Sequence, residues 1–414
     1  MYIPINWLKP YLLPLVILSL AIGFLPYFSL ITDSQKELLW ILPFILGIVT
    51  VVLGQQFMQG RISLTAINMI IGFMVIHWFL QEPLVRNQST SVFSFLSIFW
   101  VLNTFIIFWL PERKLLSSVS IGILALIAVE FVICMSILHW YPLHIETIQT
   151  YLPFYPVADI FGYSIQWVTS ASISYLQLVL GVVMAGFAFY KKQRTSIAIF
   201  TCYALSCLVL GWFDQVNISL IFVTLAFVCL LYCLLMNSHD LAFIDELTEL
   251  PGRRALTNAL KHAGKNYTLV MADIDKFKNF NDTHGHEVGD DVLRLVAQEL
   301  GKVTGGGKAF RYGGEEFTIL FKNKTAEQAQ PYVESIRAQI ASYPMTLRDK
   351  SNRPEDKKIG KTLRDKKRKA KTVKVTMSFG IAQRKNTQEF EEVMKAADKK
   401  LYQAKENGRN RVEL

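Results

Sequence analysis

The first 236 residues are poor in charge. Of the 43 Lys/Arg and 33 Asp/Glu in the 414-residue chain, only 9 and 8 lie there, leaving 34 and 25 for residues 237–414. The two parts therefore carry net charges of +1 and +9. The second part has no cysteine; all five (Cys134, Cys202, Cys207, Cys229 and Cys233) sit in apolar stretches of the first. That argues against a disulfide framework and fits a reducing compartment for the C-terminal part. Small apolar packing residues are the better reading of these thiols. Charged residues make up 18% of the chain and hydrophobic residues 52%, which rules out disorder, collagen and a disulfide-stapled mini-scaffold. A length of 414 predicts two or more domains. No haem or flavin motif, transporter signature or internal repeat is visible.

What fills the first part is apolar. Eight stretches, at about 11–31, 38–57, 63–81, 91–110, 115–139, 165–190, 195–213 and 216–236, each approach the ~20 residues a helix needs to cross a bilayer. The first contains Pro14 and Pro26 and no clear small-residue cleavage site, so it does not read as a signal peptide. Alternate loops hold Lys9, Arg61, Arg113, Lys114, Lys191, Lys192 and Arg194 on one side, and only Lys36 and Arg86 on the other. The positive-rich side is expected to be cytoplasmic, and an even number of spans then places residues 237–414 there too. Residues 1–236 are thus expected to form an all-α transmembrane bundle of about eight helices. Glu130 and His77 fall at membrane depth, where a polar side chain marks either a ligand or proton site or a hydrogen-bonded packing residue. The long outer loop, about 141–164, has no Lys or Arg.

After Met236 the pattern changes. Residues 237–244 read as a short signalling linker and residues 245–414 as an α/β (α+β) domain. Helices are expected at 253–263, 277–283, 287–302, 325–342 and 388–406. Strands are expected around Leu269–Met271 and at 373–382, with a hairpin of Ala309–Tyr312 and Phe317–Phe321 around Gly313-Gly314. Asp273 ends an apolar strand and Glu315 sits at the hairpin turn. If the strands are neighbours, the two carboxylates meet at one end of the sheet and, with phosphate oxygens, make a hard-cation site. Asp275 reads as a cap for the helix near Phe277. That helix start offers free N–H groups to phosphate, with Lys276, Phe277 and Lys278 beside it. Lys405 and Arg409, four apart, are expected to share one face of the last helix. The stretch from Leu347 to Lys374 is basic, but no aromatics interleave its cations, so a solvated loop is the better reading and no nucleic-acid partner is expected.

Five segments carry a resemblance. They are Asp245-Glu-Leu-Thr-Glu-Leu-Pro-Gly-Arg-Arg254; Asp273-Ile-Asp-Lys-Phe-Lys-Asn-Phe-Asn-Asp282 with Gly285-His286 and Gly289-Asp290; Arg311-Tyr-Gly-Gly-Glu-Glu-Phe317; Thr376-Met-Ser-Phe-Gly380; and Ala397-Asp398 through Gly408-Arg409-Asn410. Their order over about 170 residues resembles the GGDEF family of diguanylate cyclases, in its GGEEF form. The resemblance implies a nucleotidyl-cyclase-like fold and condensation of two GTP into cyclic di-GMP and two pyrophosphates. It implies Mg²⁺ or Mn²⁺ held by Asp273, the carbonyl of Ile274 and Glu315. Glu315 would activate the hydroxyl, with Glu316 as supporting acid, on a signature turn of Gly313 and Gly314. Asn281 and Asp290 would read guanine, and Lys276, Phe277, Lys278, Lys405 and Arg409 would meet the phosphates. Two domains must face one another, so a homodimer is expected, in the bacterial inner membrane, under an unknown sensory ligand. A silent nucleotide receptor and a transporter with an attached cyclase are the alternatives. The family's Arg-x-x-Asp product-inhibition site would fall at Thr304 and Gly307 and is missing; Glu249 stands where the family usually has Gly.

Overall fold

The computed structural model describes residues 9–23, 32–80, 87–140, 167–215, 217–346, 372–384 and 388–414. These fall into two compact units, Met1–Ser238 and His239–Leu414. The outer loop at 141–164 lies outside the described residues, as does the basic stretch at 347–374 apart from 372–374.

The N-terminal unit is helical: α1 (Lys9–Gly23), α2 (Asp33–Leu39), α3 (Leu42–Gln56), α4 (Gly60–Phe79), α5 (Asn87–Trp109), α6 (Ser118–Trp140), α7 (Ala171–Lys191), α8 (Arg194–Gly211) and α9 (Ile218–Phe243). Among the described residues six helices, α4 to α9, are long and apolar enough to cross a membrane. The first two apolar stretches are helical over shorter ranges, Tyr11–Gly23 and Leu42–Gln56. Of the apolar window, 67% is buried in α8 but only 17% in α6, so α6 lies at the rim of the bundle. Glycines let helices approach: a Cβ on Gly72 would run into the Trp100 indole. Glu130 accepts from Asn103 Nδ2 at 2.8 Å, and His77 stacks on Trp40 with ring centres 4.9 Å apart. Within this unit Asn237 donates to Gln59 Oε1 at 2.9 Å and Thr195 Oγ1 at 3.0 Å, fastening the late part of α9 to α8 and to the turn before α4.

The C-terminal unit runs α10 (Arg253–Lys261), β1 (Tyr267–Ile274), α11 (Phe277–His284), α12 (His286–Leu300), β2 (Gly307–Gly313), β3 (Glu316–Lys322), α13 (Ala326–Ser342), β4 (Met345–Thr346), β5 (Thr372–Val373), β6 (Met377–Gln383), α14 (Phe390–Glu406) and β7 (Val412–Glu413). Five strands form one sheet in the order β2-β3-β1-β6-β7, antiparallel except for β6 and β7. The expected strand at 373–382 is corrected. Its main-sheet part begins at Met377, opposite Ile274, while Thr372–Val373 pairs with Met345–Thr346 in a separate ribbon.

Strand β1 is buried along its whole length, so its residues alternate between two cores. Val270, Ala272 and Ile274 join the core under α12 and α13; Tyr267, Leu269 and Met271 join the one under α10 and α14. Asp273 has the parity of the second set. The same alternation puts Glu316 of β3, and Ser378 and Gly380 of β6, on the α14 face.

Candidate active site

Asp273, at the end of β1, pairs directly with Glu316 on one side and Ser378 on the other. Beside Glu316 comes the turn. Gly313 is the partner of Glu316, so the two turn residues are Gly314 and Glu315 rather than the expected Gly313-Gly314. Gly314 takes φ +52°, a conformation that favours glycine. Glu315 thus stands at the tip of the turn, next to the Asp273 end of the sheet.

The cluster is electrostatically strained. Burial pushes the Asp273 carboxyl above its ordinary range, against the pull of Lys405, whose Nζ lies 2.9 Å from Asp273 Oδ1. Burial raises Glu315 as well, and the charges of Asp273 and Glu316 add to this. Glu316 is raised by burial and by Asp273 and Asp398. Lys405, joined at Glu316 by Arg253, thus faces several partly buried acids. Lys405 reaches Asp273 because α14 covers that face of the sheet.

Around this centre the chain places the other expected residues. Lys276 stands at the N-cap of α11 with φ +56°, and no side chain caps the helix. Lys276 and Lys278 are exposed, whereas the Phe277 side chain is buried in the core and leaves only its backbone for a ligand. Asn281 of α11 packs on Gly289 of α12, so closely that a Cβ there would lie 1.9 Å from Asn281 Oδ1. That oxygen is buried without a hydrogen-bond partner, and the half-buried Asp290 follows Gly289 in the chain.

Two expectations are corrected. Lys405 and Arg409 do not share a helix face: α14 ends at Glu406, and Arg409 lies past it with φ +64°, its N–H bonded to the Ala404 carbonyl at 2.9 Å. Gly408, at φ +112°, breaks the helix before the fourth residue is reached. Nor is Asp275 a cap for α11. The left-handed Lys276 takes the cap position, and the Asp275 carboxylate accepts from Thr376 Oγ1 at 2.7 Å, Ser378 Oγ at 2.6 Å and the Asn410 N–H at 3.0 Å.

Sequence reasoning also missed a contact behind the signature turn. Arg311 reaches Asp245 Oδ1 from Nη1 at 2.6 Å and the Gly314 carbonyl from Nη2 at 2.8 Å. Asp245 in turn accepts from the Thr248 hydroxyl at 2.6 Å and the Thr248 N–H at 2.9 Å. The first motif is therefore the support of the third. Glu249, in the position where the family usually has Gly, takes φ +58°.

The sequence pattern described as "Diguanylate cyclase, GGDEF domain" matches residues 242–363 and 356–411. The C-terminal unit is a GGDEF domain. Diguanylate cyclase VdcA of Vibrio cholerae is 35% identical over 175 residues, covering 41% of this chain and 46% of that protein. Diguanylate cyclase DosC of Escherichia coli is 33% identical over 187 residues, covering 43% of this chain and 36% of DosC. The chain thus spans less than half the length of these relatives. The crystal structure of the coiled coil and GGDEF domain of DgcB from Caulobacter crescentus, in complex with c-di-GMP, is 33% identical and covers 44% of this chain and 91% of that one, at a TM-score of 0.38.

Proposed function

We propose that the protein is a membrane-bound diguanylate cyclase that condenses two GTP into cyclic di-GMP and two pyrophosphates. The observation that carries this reading is the convergence of Asp273, Glu315 and Glu316 around Lys405 at one end of the sheet. The residues suit a divalent cation. Among the described residues no group of three or more His, Cys, Asp or Glu side chains forms a complete metal site. Two partly buried carboxyls with raised proton affinity, Asp273 and Glu315, are nevertheless in excess of nearby positive charge. Together with the Ile274 carbonyl they would hold Mg²⁺ or Mn²⁺ and leave positions for phosphate oxygens. The ion supplies charge neutralisation at the triphosphate and an acidified hydroxyl.

The chain's own groups do the rest. Lys276 and Lys278, the first N–H groups of α11, Lys405 and Arg409 meet the triphosphate; Asn281 and Asp290 read the guanine edge. The 3′-oxygen of one GTP forms a bond to the α-phosphorus of the other as the bond to pyrophosphate breaks. The hydroxyl proton passes to the Glu315 carboxylate, which stands at the tip of the signature turn beside the Asp273 end of the sheet. Glu316 supports it. Each domain presents one nucleotide, so two copies face one another and both linkages close the ring. The N-terminal unit spans the bacterial inner membrane with the cyclase on its cytoplasmic side, and a sensory ligand acting there sets how the two domains meet. With Thr304 and Gly307 in the product-inhibition positions, the enzyme escapes feedback through that site.

The test is cyclic di-GMP formation by full-length protein in membranes, from GTP and Mg²⁺, beside Glu315→Gln. Product from the parent with a loss of about 10²-fold or more in the variant supports the reading. Equal rates overturn it, and so does failure of both when the protein is forced to dimerise.

A further inference from the structure

Asp275 lies between two groups that the proposed function uses, the Ile274 carbonyl and the Lys276–Lys278 loop, yet that function gives it no part. Its carboxylate is half-buried and takes three donors: the Ser378 hydroxyl at 2.6 Å, the Thr376 hydroxyl at 2.7 Å and the Asn410 N–H at 3.0 Å. Its own N–H donates to the Thr376 carbonyl at 2.9 Å. The partners come from two distant segments, the start of β6 and the turn after α14. Four acceptor sites on an ionised carboxylate serve such a junction; a neutral amide of the same shape presents two donors in place of half of them.

The turn it holds is an unusual one. Gly408, Arg409 and Asn410 have φ of +112°, +64° and +46°, two of them without glycine's freedom. Non-glycine residues keep that conformation where their surroundings over-determine it. Here Asn410 is gripped at both ends, its N–H by Asp275 and its Oδ1 by Arg337 Nη1 at 2.7 Å. Arg409 is bracketed between this grip and its own N–H bond to Ala404.

We infer that Asp275 is a positioning residue for the triphosphate: it ties the loop after β1 to the turn after α14, and through Asn410 it sets where Arg409 stands. It touches neither nucleotide nor metal. The same carboxylate accounts for two motifs at once, because Thr376, just before β6, and Ser378 within it both donate to it and Asn410 closes the C-terminal motif. The inference rests on the cyclase reading of this site.

The experiment is equilibrium binding of GTP and of GMP, with Ca²⁺ present, to the full-length protein in nanodiscs. The variants are Asp275→Asn, Arg409→Ala and the two combined. Asp275→Asn is expected to weaken GTP about tenfold, the loss of one charge-assisted hydrogen bond, and to leave GMP within about twofold. In the Arg409→Ala background the same change is expected to cost less than about twofold, because the two residues act in one chain. Should Asp275→Asn not fold, Ser378→Ala keeps the carboxylate and the Asn410 bond and is expected to weaken GTP about threefold, again without effect on GMP. Equal losses for GTP and GMP overturn the inference, as does a full tenfold loss in the Arg409→Ala background. Failure of the parent to bind GTP overturns the cyclase reading and this inference with it, and so distinguishes the two.

Discussion

Gly380 is the point at which a single methyl group is expected to disturb both the fold and the chemistry. It lies on the face of β6 that α14 covers, and the helix comes down on it without an intervening side chain. A Cβ at this position would sit 2.1 Å from the Leu401 nitrogen, 2.3 Å from the Ala397 carbonyl oxygen and 2.6 Å from the Lys400 carbonyl carbon. All three are backbone atoms, so no side chain can swing away. In Gly380→Ala the helix must retreat by about 1 Å to recover ordinary contact, and overpacking of this kind costs about 1–3 kcal/mol, here at the upper end. For a unit of this size each kcal/mol lowers Tm by about 2–4 °C, so a fall of about 5–10 °C is expected. Lys405 sits one turn beyond Leu401 on the same helix. A shift of about 1 Å takes its Nζ out of hydrogen-bond reach of Asp273, and displacements of that size at a reacting centre cost up to about 10²-fold in rate. Gly313 is the contrast, since no atom lies within 4 Å of its Cβ and its φ is not left-handed. Gly313→Ala is expected to unfold within about 0.5 kcal/mol of the parent and, on the cyclase reading in which the signature turn lies against the nucleotide, to lose cyclisation. Proteolysis-monitored thermal unfolding of the C-terminal unit, in the full-length protein, and cyclic di-GMP formation are the assays. A Gly380→Ala protein with the parent's Tm and rate would refute the argument.

Asp245→Asn removes the acceptor that holds Arg311 behind the signature turn, and is expected to destabilise the C-terminal unit by about 1–2 kcal/mol and to slow cyclisation about tenfold. Burial alone would raise the Asp245 carboxyl, but the Thr248 hydroxyl and N–H and the Arg311 guanidinium outweigh it and hold it below its ordinary 3.8. Its contribution is therefore complete above that value and fades as pH falls through the lower folded one, so the difference in unfolding free energy between parent and variant should vanish in strong acid. In a separate test, cyclic di-GMP titrated against the initial rate is expected to compete with GTP and nothing more; potent non-competitive inhibition would show that feedback acts despite Thr304 and Gly307.

Much of this protein follows from local rules that a sequence displays directly. Apolar runs of about twenty residues become helices because a backbone removed from water must bond to itself, and these helices were legible from composition alone. The apolar strand around Leu269–Met271 and the order of the motifs were legible in the same way, whereas the meeting of Asp273 with the acids of the signature hairpin was legible only on condition that their strands are neighbours, which the sheet order supplies. Tertiary packing decided which atoms those residues meet. Lys405 pairs with Asp273 because α14 settles on the closely packed Gly380, 25 residues before it in the chain. Arg409 leaves the helix face assigned by its spacing because Gly408 ends the helical run. Asp275, apparently a local cap, bonds instead to partners 101, 103 and 135 residues away, and Arg311 to one 66 away. Sequence spacing reports on neighbours within a turn or a strand pair; contacts at such separations depend on how the helices close over the sheet, which no local pattern encodes.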